Sequence, residues 1–214
     1  MKVGVLGTGD VGKALGHGFV ALGHQVRMGS RLATNEKARA WAKAEGPLAS
    51  AGNFRDAAAF GEVVVLATLG VANEEALSLA GPDEFRGKVL VDTTNPLDFS
   101  GGFPPKLAVG HTDSGGERVQ RHLPGARVVK AFNTVGSAHM FRPDFPGGPP
   151  DMFLCGNDDA AKRKVEGILK EFGWGAVDLG GIEASRLLEP MCMAWVLHGH
   201  RSGAWNHAFK LLRR

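Results

Sequence analysis

Cysteine is scarce in this 214-residue sequence: only Cys155 and Cys192 occur, far apart and with no CxxC pair. That argues against both a zinc site and a disulfide framework. Long apolar runs are also missing. No stretch is long enough to span a bilayer, and Met1 leads directly into the strand-like Val3-Gly4-Val5-Leu6 rather than into a charged segment followed by an apolar one. No membrane partner is therefore expected, and a cytoplasmic location is the simplest reading. Concentrated charge is absent too. The 25 Lys and Arg against 22 Asp and Glu leave a formal net charge of +3, dispersed along the chain. Without a basic stripe interleaved with aromatics, nucleic acid is not an expected partner; an anionic cofactor accounts for the small excess at least as well.

What remains is ordinary globular material, 43% hydrophobic and 22% charged, enough for one large domain or one domain with a small annex. Short apolar runs alternate with helical patterns. Strands are expected at Lys2–Leu6, Gln25–Met28, weakly near Leu48–Ser50, at Val63–Ala67, Val89–Asp92 and Arg127–Ala131. Helices are expected between them at Val11–Leu22, Asn35–Ala44, Phe54–Phe60, Asn73–Leu79 and Ser114–His122. Two more strands, Asp151–Leu154 and Ala176–Leu179, flank a charged helix at Asp158–Phe172, and a last helix runs from about Ala184 to Trp195 or beyond. Gly and Pro gather in two loops, Leu97–Lys106 and Arg142–Pro150, both expected near the carboxyl edge of the sheet. A functional loop and a tolerated surface insertion fit these two equally well.

The most informative motif is Gly7-Thr8-Gly9-Asp10-Val11-Gly12, a GxGxxG that directly follows the first strand and opens a helix. Gly7 permits the tight turn, Gly9 lets a pyrophosphate approach the backbone, and Gly12 allows close helix–strand packing. The helix N-terminus then meets the phosphate charge. An NAD site places Asp or Glu at the end of the second strand, about 20 residues on. Here stand Met28-Gly29-Ser30-Arg31, with no acid before Glu36. Ser30 is expected to donate to a 2′-phosphate and Arg31 to pair with it, with Lys37 within reach of the same group. The expected cofactor is therefore NADP(H). Thr68 and Leu69 end the fourth strand, while Asn95 and Asn133 follow the fifth and sixth. These positions border the ribose and nicotinamide in such a topology. The fold class is thus α/β: a Rossmann-type, doubly wound, mostly parallel sheet with a small C-terminal strand–helix–strand–helix extension. Residues 1–150 are expected to form the NADP-binding domain, and 151–214 the extension that completes an acceptor cleft.

Seven stretches together resemble the F420-dependent NADP oxidoreductases and the related reductase domain of the STEAP metalloreductases. They are Gly7–Gly12, Gly29-Ser30-Arg31, Asp92-Thr93-Thr94-Asn95-Pro96, Val129-Lys130-Ala131-Phe132-Asn133-Thr134, Cys155-Gly156-Asn157-Asp158, Val177-Asp178-Leu179-Gly180 and Leu187-Leu188-Glu189-Pro190-Met191. The resemblance implies hydride transfer between NADP(H) and a deazaflavin (coenzyme F420) or a flavin (FMN or FAD). It implies direct transfer between rings, with the protein orienting them and excluding water, so that no general acid is needed. It also implies that Asn133, Thr134 and Val135 lie near the nicotinamide. Met191 and Trp195, one turn apart on the last helix, are candidate walls of the acceptor pocket, although core packing at helical spacing is the simpler account of each. STEAP-like enzymes pass electrons to a membrane haem domain. With no membrane segment here, the expected partner is a small soluble redox acceptor.

Two other motifs carry less. Thr112-Asp113-Ser114-Gly115-Gly116 resembles the nucleophile segment of trypsin-like proteases, but its setting fits a capping box, Ser114 as N-cap and Glu117 at N3. His198 and His200, two apart on a helix, point to different faces and would not chelate one ion. The competing functions are an NADP-dependent dehydrogenase or imine reductase of a small substrate, and a non-catalytic NADP-sensing module. The first normally appends a long helical domain for which the chain after the sixth strand has little room. A homodimer is the default assembly, with the apolar last helix as a contributor.

Overall fold

A computed structural model describes residues 1–212. In chain order the first half runs β1 (Lys2–Leu6), α1 (Asp10–Ala21), β2 (Gln25–Ser30), α2 (Glu36–Glu45), β3 (Ala49–Asn53), α3 (Phe54–Phe60), β4 (Val63–Leu66), α4 (Asn73–Ala80) and β5 (Val89–Asp92). There follow β6 (Leu97–Asp98), β7 (Lys106–Leu107), α5 (Gly115–His122), β8 (Arg127–Lys130), β9 (Asp151–Gly156), α6 (Asp159–Phe172), β10 (Gly175–Asp178) and α7 (Ser185–Ser202). The eight-stranded sheet has the order β10-β9-β8-β5-β4-β1-β2-β3. From β3 to β8 all pairs are parallel, which is the doubly wound arrangement. β9 then pairs antiparallel with β8, and β10 parallel with β9, so the segment after residue 150 continues the same sheet.

The central strands are largely apolar because both faces are covered. All four residues of β4, Val63-Val64-Val65-Leu66, are buried. Alternate residues feed two cores: Val63 and Val65 join Leu15 and Phe19 of α1, Trp41 of α2 and Phe172 of α6. Val64 and Leu66 join Phe54 and Ala57 of α3, Leu77 of α4, Val119 of α5 and Leu188 of α7.

Some boundaries differ from expectation for identifiable reasons. β2 continues past Met28 because Gly29 and Ser30 pair with Gly52 and Asn53 of β3, and sheet pairing overrides the weak strand preference of glycine. The loop Leu97–Lys106 closes on itself as the small β6–β7 hairpin. Its Phe103–Pro104 bond is the cis peptide among the described residues, so Asn95–Pro96 is trans. α7 runs through Pro190 and ends at Gly203, which takes the left-handed conformation at φ 67°. Ser114 caps α5 through the Glu117 N–H, but the expected reciprocal bond is replaced: the Glu117 carboxylate takes the Ser114 hydroxyl and the Arg186 guanidinium instead. Ser114 is fully buried in that role.

α3 sits directly on β1 at Gly4, where a Cβ would lie 2.1 Å from the Ala57 carbonyl oxygen. Gly4→Ala is expected to push α3 from the sheet and to cost about 1–3 kcal/mol. Urea denaturation measures this, and an unchanged midpoint would show that α3 has room to move.

Candidate active site

The three motif glycines have different neighbours. Gly7 has φ +129°, donates its N–H to Gly29 O at 3.0 Å, and has room for no Cβ, which would meet Ala67 O at 2.2 Å. A Cβ on Gly12 would lie 2.3 Å from Gly7 O. Gly9 alone has nothing within 4 Å of that position. It opens onto a cleft of about 650 Å³ at the carboxyl edge, lined also by Gly7, Thr8, Asp10 and Val11. α1 has no side-chain cap, and its hydrogen-bond ladder begins with Lys13 N–H to Gly9 O. The earlier N–H groups are left for an anion, so the cradle fits a dinucleotide pyrophosphate.

Ser30 and Arg31 lie in the same cleft, where among the described residues Arg31 is the one basic and Asp10 the one acidic lining residue. Ser30 is buried, and its hydroxyl already donates to Leu32 O at 2.6 Å, so the expected donation to a phosphate requires that bond to be exchanged. Arg31 pairs with Glu75 of α4 at 3.2 Å, both side chains well exposed. Such a pair is weak and readily given up for a doubly charged phosphate. Lys37 is exposed on α2 and does not line the cleft; Asn35 does, while capping α2 through the Ala38 N–H at 3.0 Å.

Thr68, Leu69 and Asn95 line the cleft wall. Asn133, Thr134 and Val135 stand behind it, all buried. Asn133 Nδ2 donates to Asn95 Oδ1 at 3.0 Å and to Leu188 O at 2.9 Å, and Asn95 Nδ2 returns a bond to Asn133 O at 2.8 Å. The preceding Phe132 is held at φ +61°, a costly conformation for a bulky residue at the edge where ligands bind. Met191 packs half-buried against the second core. Trp195 is buried, stacks on His207 at 4.7 Å and lies against Gly136. Neither lines the cleft. A larger groove of about 980 Å³ runs along α7, past Leu187, Pro190, Met193 and Lys106. It contains neither the glycine turn nor Ser30-Arg31, so it is not the dinucleotide site. His198 and His200 diverge as expected, one edge-on to His207 and the other to Phe103.

Beneath the cleft lies an arrangement not anticipated from the sequence. Lys130 Nζ is completely buried, 2.8 Å from Asp92 Oδ2, 3.1 Å from Glu189 Oε1 and 2.8 Å from Thr94 O. Glu189 also accepts the N–H groups of Gly115 and Gly116, each at 3.0 Å, at the start of α5. Burial alone would drive the Lys130 ammonium to lose its proton, but Asp92 and Glu189 outweigh it and push the pKa up to about 12. Burial dominates for the neighbouring thiols, raising Cys155 to about 11 and Cys192 to about 12, so both are inert. The signal that could have found this triad is its chemistry: Asp92, Lys130 and Glu189 are charges inside otherwise apolar segments.

A doubly wound sheet with an open glycine cradle, and a second strand that ends in Ser30-Arg31 where an NAD site has an acid, is the frame of an NADP-dependent oxidoreductase, the class that the relatives bear out. The profile of the family described as NADP oxidoreductase coenzyme F420-dependent matches residues 2–96. The F420-dependent NADP reductase of Methanocaldococcus jannaschii is 34% identical over 203 residues, covering 88% of each chain. Metalloreductase STEAP3 of Rattus norvegicus is 31% identical over 188 residues, and the match spans 88% of this chain but only 36% of that longer protein. A solved structure from Arthrobacter sp. FB24, provisionally described as an F420-dependent NADP-reductase, superposes over the full length of both chains with 40% identity and a TM-score of 0.93. The chain belongs to the F420-dependent NADP oxidoreductase family.

Removing Lys130 would leave two buried carboxylates facing each other. Lys130→Met is expected to cost about 3–5 kcal/mol in urea denaturation. Because the folded pKa is raised above the ordinary 10.5, the contribution of Lys130 is complete below pH 10.5 and is lost as pH climbs through about 12. A variant as stable as the unmodified protein would mean that the triad contributes nothing.

Proposed function

We propose that the protein transfers a hydride between NADP(H) and a planar soluble acceptor, coenzyme F420 first and a flavin such as FMN or FAD second. One observation carries this reading: a single cleft holds the open Gly9 cradle at the uncapped start of α1 and the Ser30-Arg31 end that lacks an acid. The names of the relatives supply F420 as the acceptor class.

The bound nicotinamide supplies the hydride, and the chain supplies binding and orientation. The free N–H groups of α1 hold the pyrophosphate, while Arg31 exchanges Glu75 for the 2′-phosphate. Leu69 and Phe99 line the cleft with exposed apolar side chains, giving a flat ring two surfaces from which water is excluded. Direct transfer between rings needs no general acid, and Asp10, the acidic lining residue among those described, belongs to the glycine turn. Residues 1–150 bind the cofactor and 151–214 complete the acceptor side. There Trp195 backs Gly136 beside the cleft residue Ser137, and Met191 anchors α7. We place the protein in the cytoplasm as a homodimer joined along the exposed apolar face of α7, where Leu187 lies in the open groove.

Anaerobic assays with F420, FMN, FAD and ferric chelates, each with NADPH and NADH, test the reading. NADPH should exceed NADH by at least about tenfold in kcat/KM, roughly 1.4 kcal/mol, and Arg31→Ala should collapse that ratio. Equal use of NADH by the unmodified protein, or no oxidation with any acceptor, would sink it. Light scattering should give the mass of two 22.6 kDa chains, and Leu187→Asp should halve it. A monomeric unmodified protein would remove the dimer from the proposal.

A further inference from the structure

A line of hydrogen bonds leads from the cleft wall to the buried triad, and its direction is fixed from the inside. Asp92 is fully buried beside Lys130, and its carboxylate can only accept. Thr94 Oγ1, 2.6 Å away, therefore donates to Asp92 Oδ1. With its one proton used, Thr94 must accept from Asn73, whose Nδ2 lies 2.7 Å away. That orients the Asn73 amide with Oδ1 facing outward, 2.7 Å from Thr68 Oγ1. Thr68 consequently donates inward as well. Asn73 and Thr94 are both at least nine-tenths buried, so no water competes for the two inner bonds. A threonine hydroxyl on an open wall rotates freely and serves as donor or acceptor. Here the proton of Thr68 is committed to Asn73, so to a ligand in the cleft that Thr68 lines its hydroxyl can offer only lone pairs.

We propose that Thr68 is a fixed hydrogen-bond acceptor for a ribose hydroxyl of the bound cofactor, with Asn73, Thr94 and Asp92 as the positioning residues that set its polarity. This rests on the reading that NADP(H) occupies the cleft. A phosphate oxygen is excluded as the partner of Thr68, because two acceptors repel. Among the donors of the cofactor, the ribose hydroxyls are the ones that flank the pyrophosphate. Thr68 adjoins the pyrophosphate cradle: its N lies 3.3 Å from the position a Cβ on Gly7 would take.

The test is titration of the unmodified protein and its variants with NADP⁺, and with sulfate in competition, since sulfate oxygens only accept at neutral pH. Thr68→Val should weaken NADP⁺ about tenfold, the loss of roughly one neutral hydrogen bond. Sulfate binding should stay unchanged or improve, and Thr68→Ser should restore NADP⁺ to within twofold. Asn73→Ala releases the Thr68 proton, so it should weaken NADP⁺ while strengthening sulfate, a divergence that general damage to the fold would not produce. NADP⁺ binding by Thr68→Val within twofold of the unmodified protein overturns the proposal, as does parallel movement of both ligands in Asn73→Ala. If that variant does not fold, the Val and Ser pair still decides. Failure of the unmodified protein to bind NADP⁺ would strike the cofactor reading instead.

Discussion

Lys130 is a full positive charge with no access to water, and the architecture around the cleft is arranged to keep it satisfied. Its three protons meet Asp92 on β5, Glu189 on α7 and the carbonyl of Thr94. Each partner ties down something else. Asp92 holds the turn at Thr94, whose neighbour Asn95 lines the cleft. Glu189 fills the N-terminus of α5 and fixes α7 so that Leu188 O receives Asn133. Asn133 and Asn95 then clasp each other across the ends of β8 and β5. The desolvation of this much charge is costly, and the Coulombic return depends on close geometry. The triad is therefore better regarded as a device for holding one arrangement than as a source of net stability.

The glycines of the cradle divide along the same line between architecture and ligand. Gly7 and Gly12 are pressed against backbone and are required by the protein itself, whereas Gly9 faces open space. The cofactor end of the site is similarly provisional, since Ser30 and Arg31 are each engaged with a protein partner that a phosphate would displace. Rigid parts lie beneath the cleft and exchangeable ones on its rim.

Much of this was legible in the sequence because it is local. The four-residue apolar run of β4, the helical pattern of α3 and the glycine turn each carry their own signal within a few positions. The β6–β7 hairpin does not, since two residues per strand give no periodicity to read. Lys37 was expected near the phosphate from its distance along the chain, but the first turn of α2 carries it outward and brings Asn35 in. Asn133, Thr134 and Val135, expected near the nicotinamide, are buried, and Asn133 meets the cleft through its bonds to Asn95, a long-range pairing that no local pattern announces. The triad was hidden for a different reason. Asp92, Lys130 and Glu189 lie in three of the stretches that carry the family resemblance, and their one local signal, a charge set inside an apolar segment, does not say which charges meet.

The antiparallel turn taken by β9 has a consequence in time. It delivers α7 running back along the sheet, with Ser185 beside Cys155, Leu188 beside Asn133 and Trp195 beside Gly136. Glu189 thus arrives on α7, far along the chain from the phosphate cradle that joins β1 to α1. During synthesis the glycine turn, β2 and the strands up to β8 emerge first, with Lys130 and the N–H groups of Gly115 and Gly116 still lacking that carboxylate. The cofactor cleft acquires its floor from the early strands but its dry, neutralised foundation only when α7 closes, so completion of the site waits on a contact made late in synthesis.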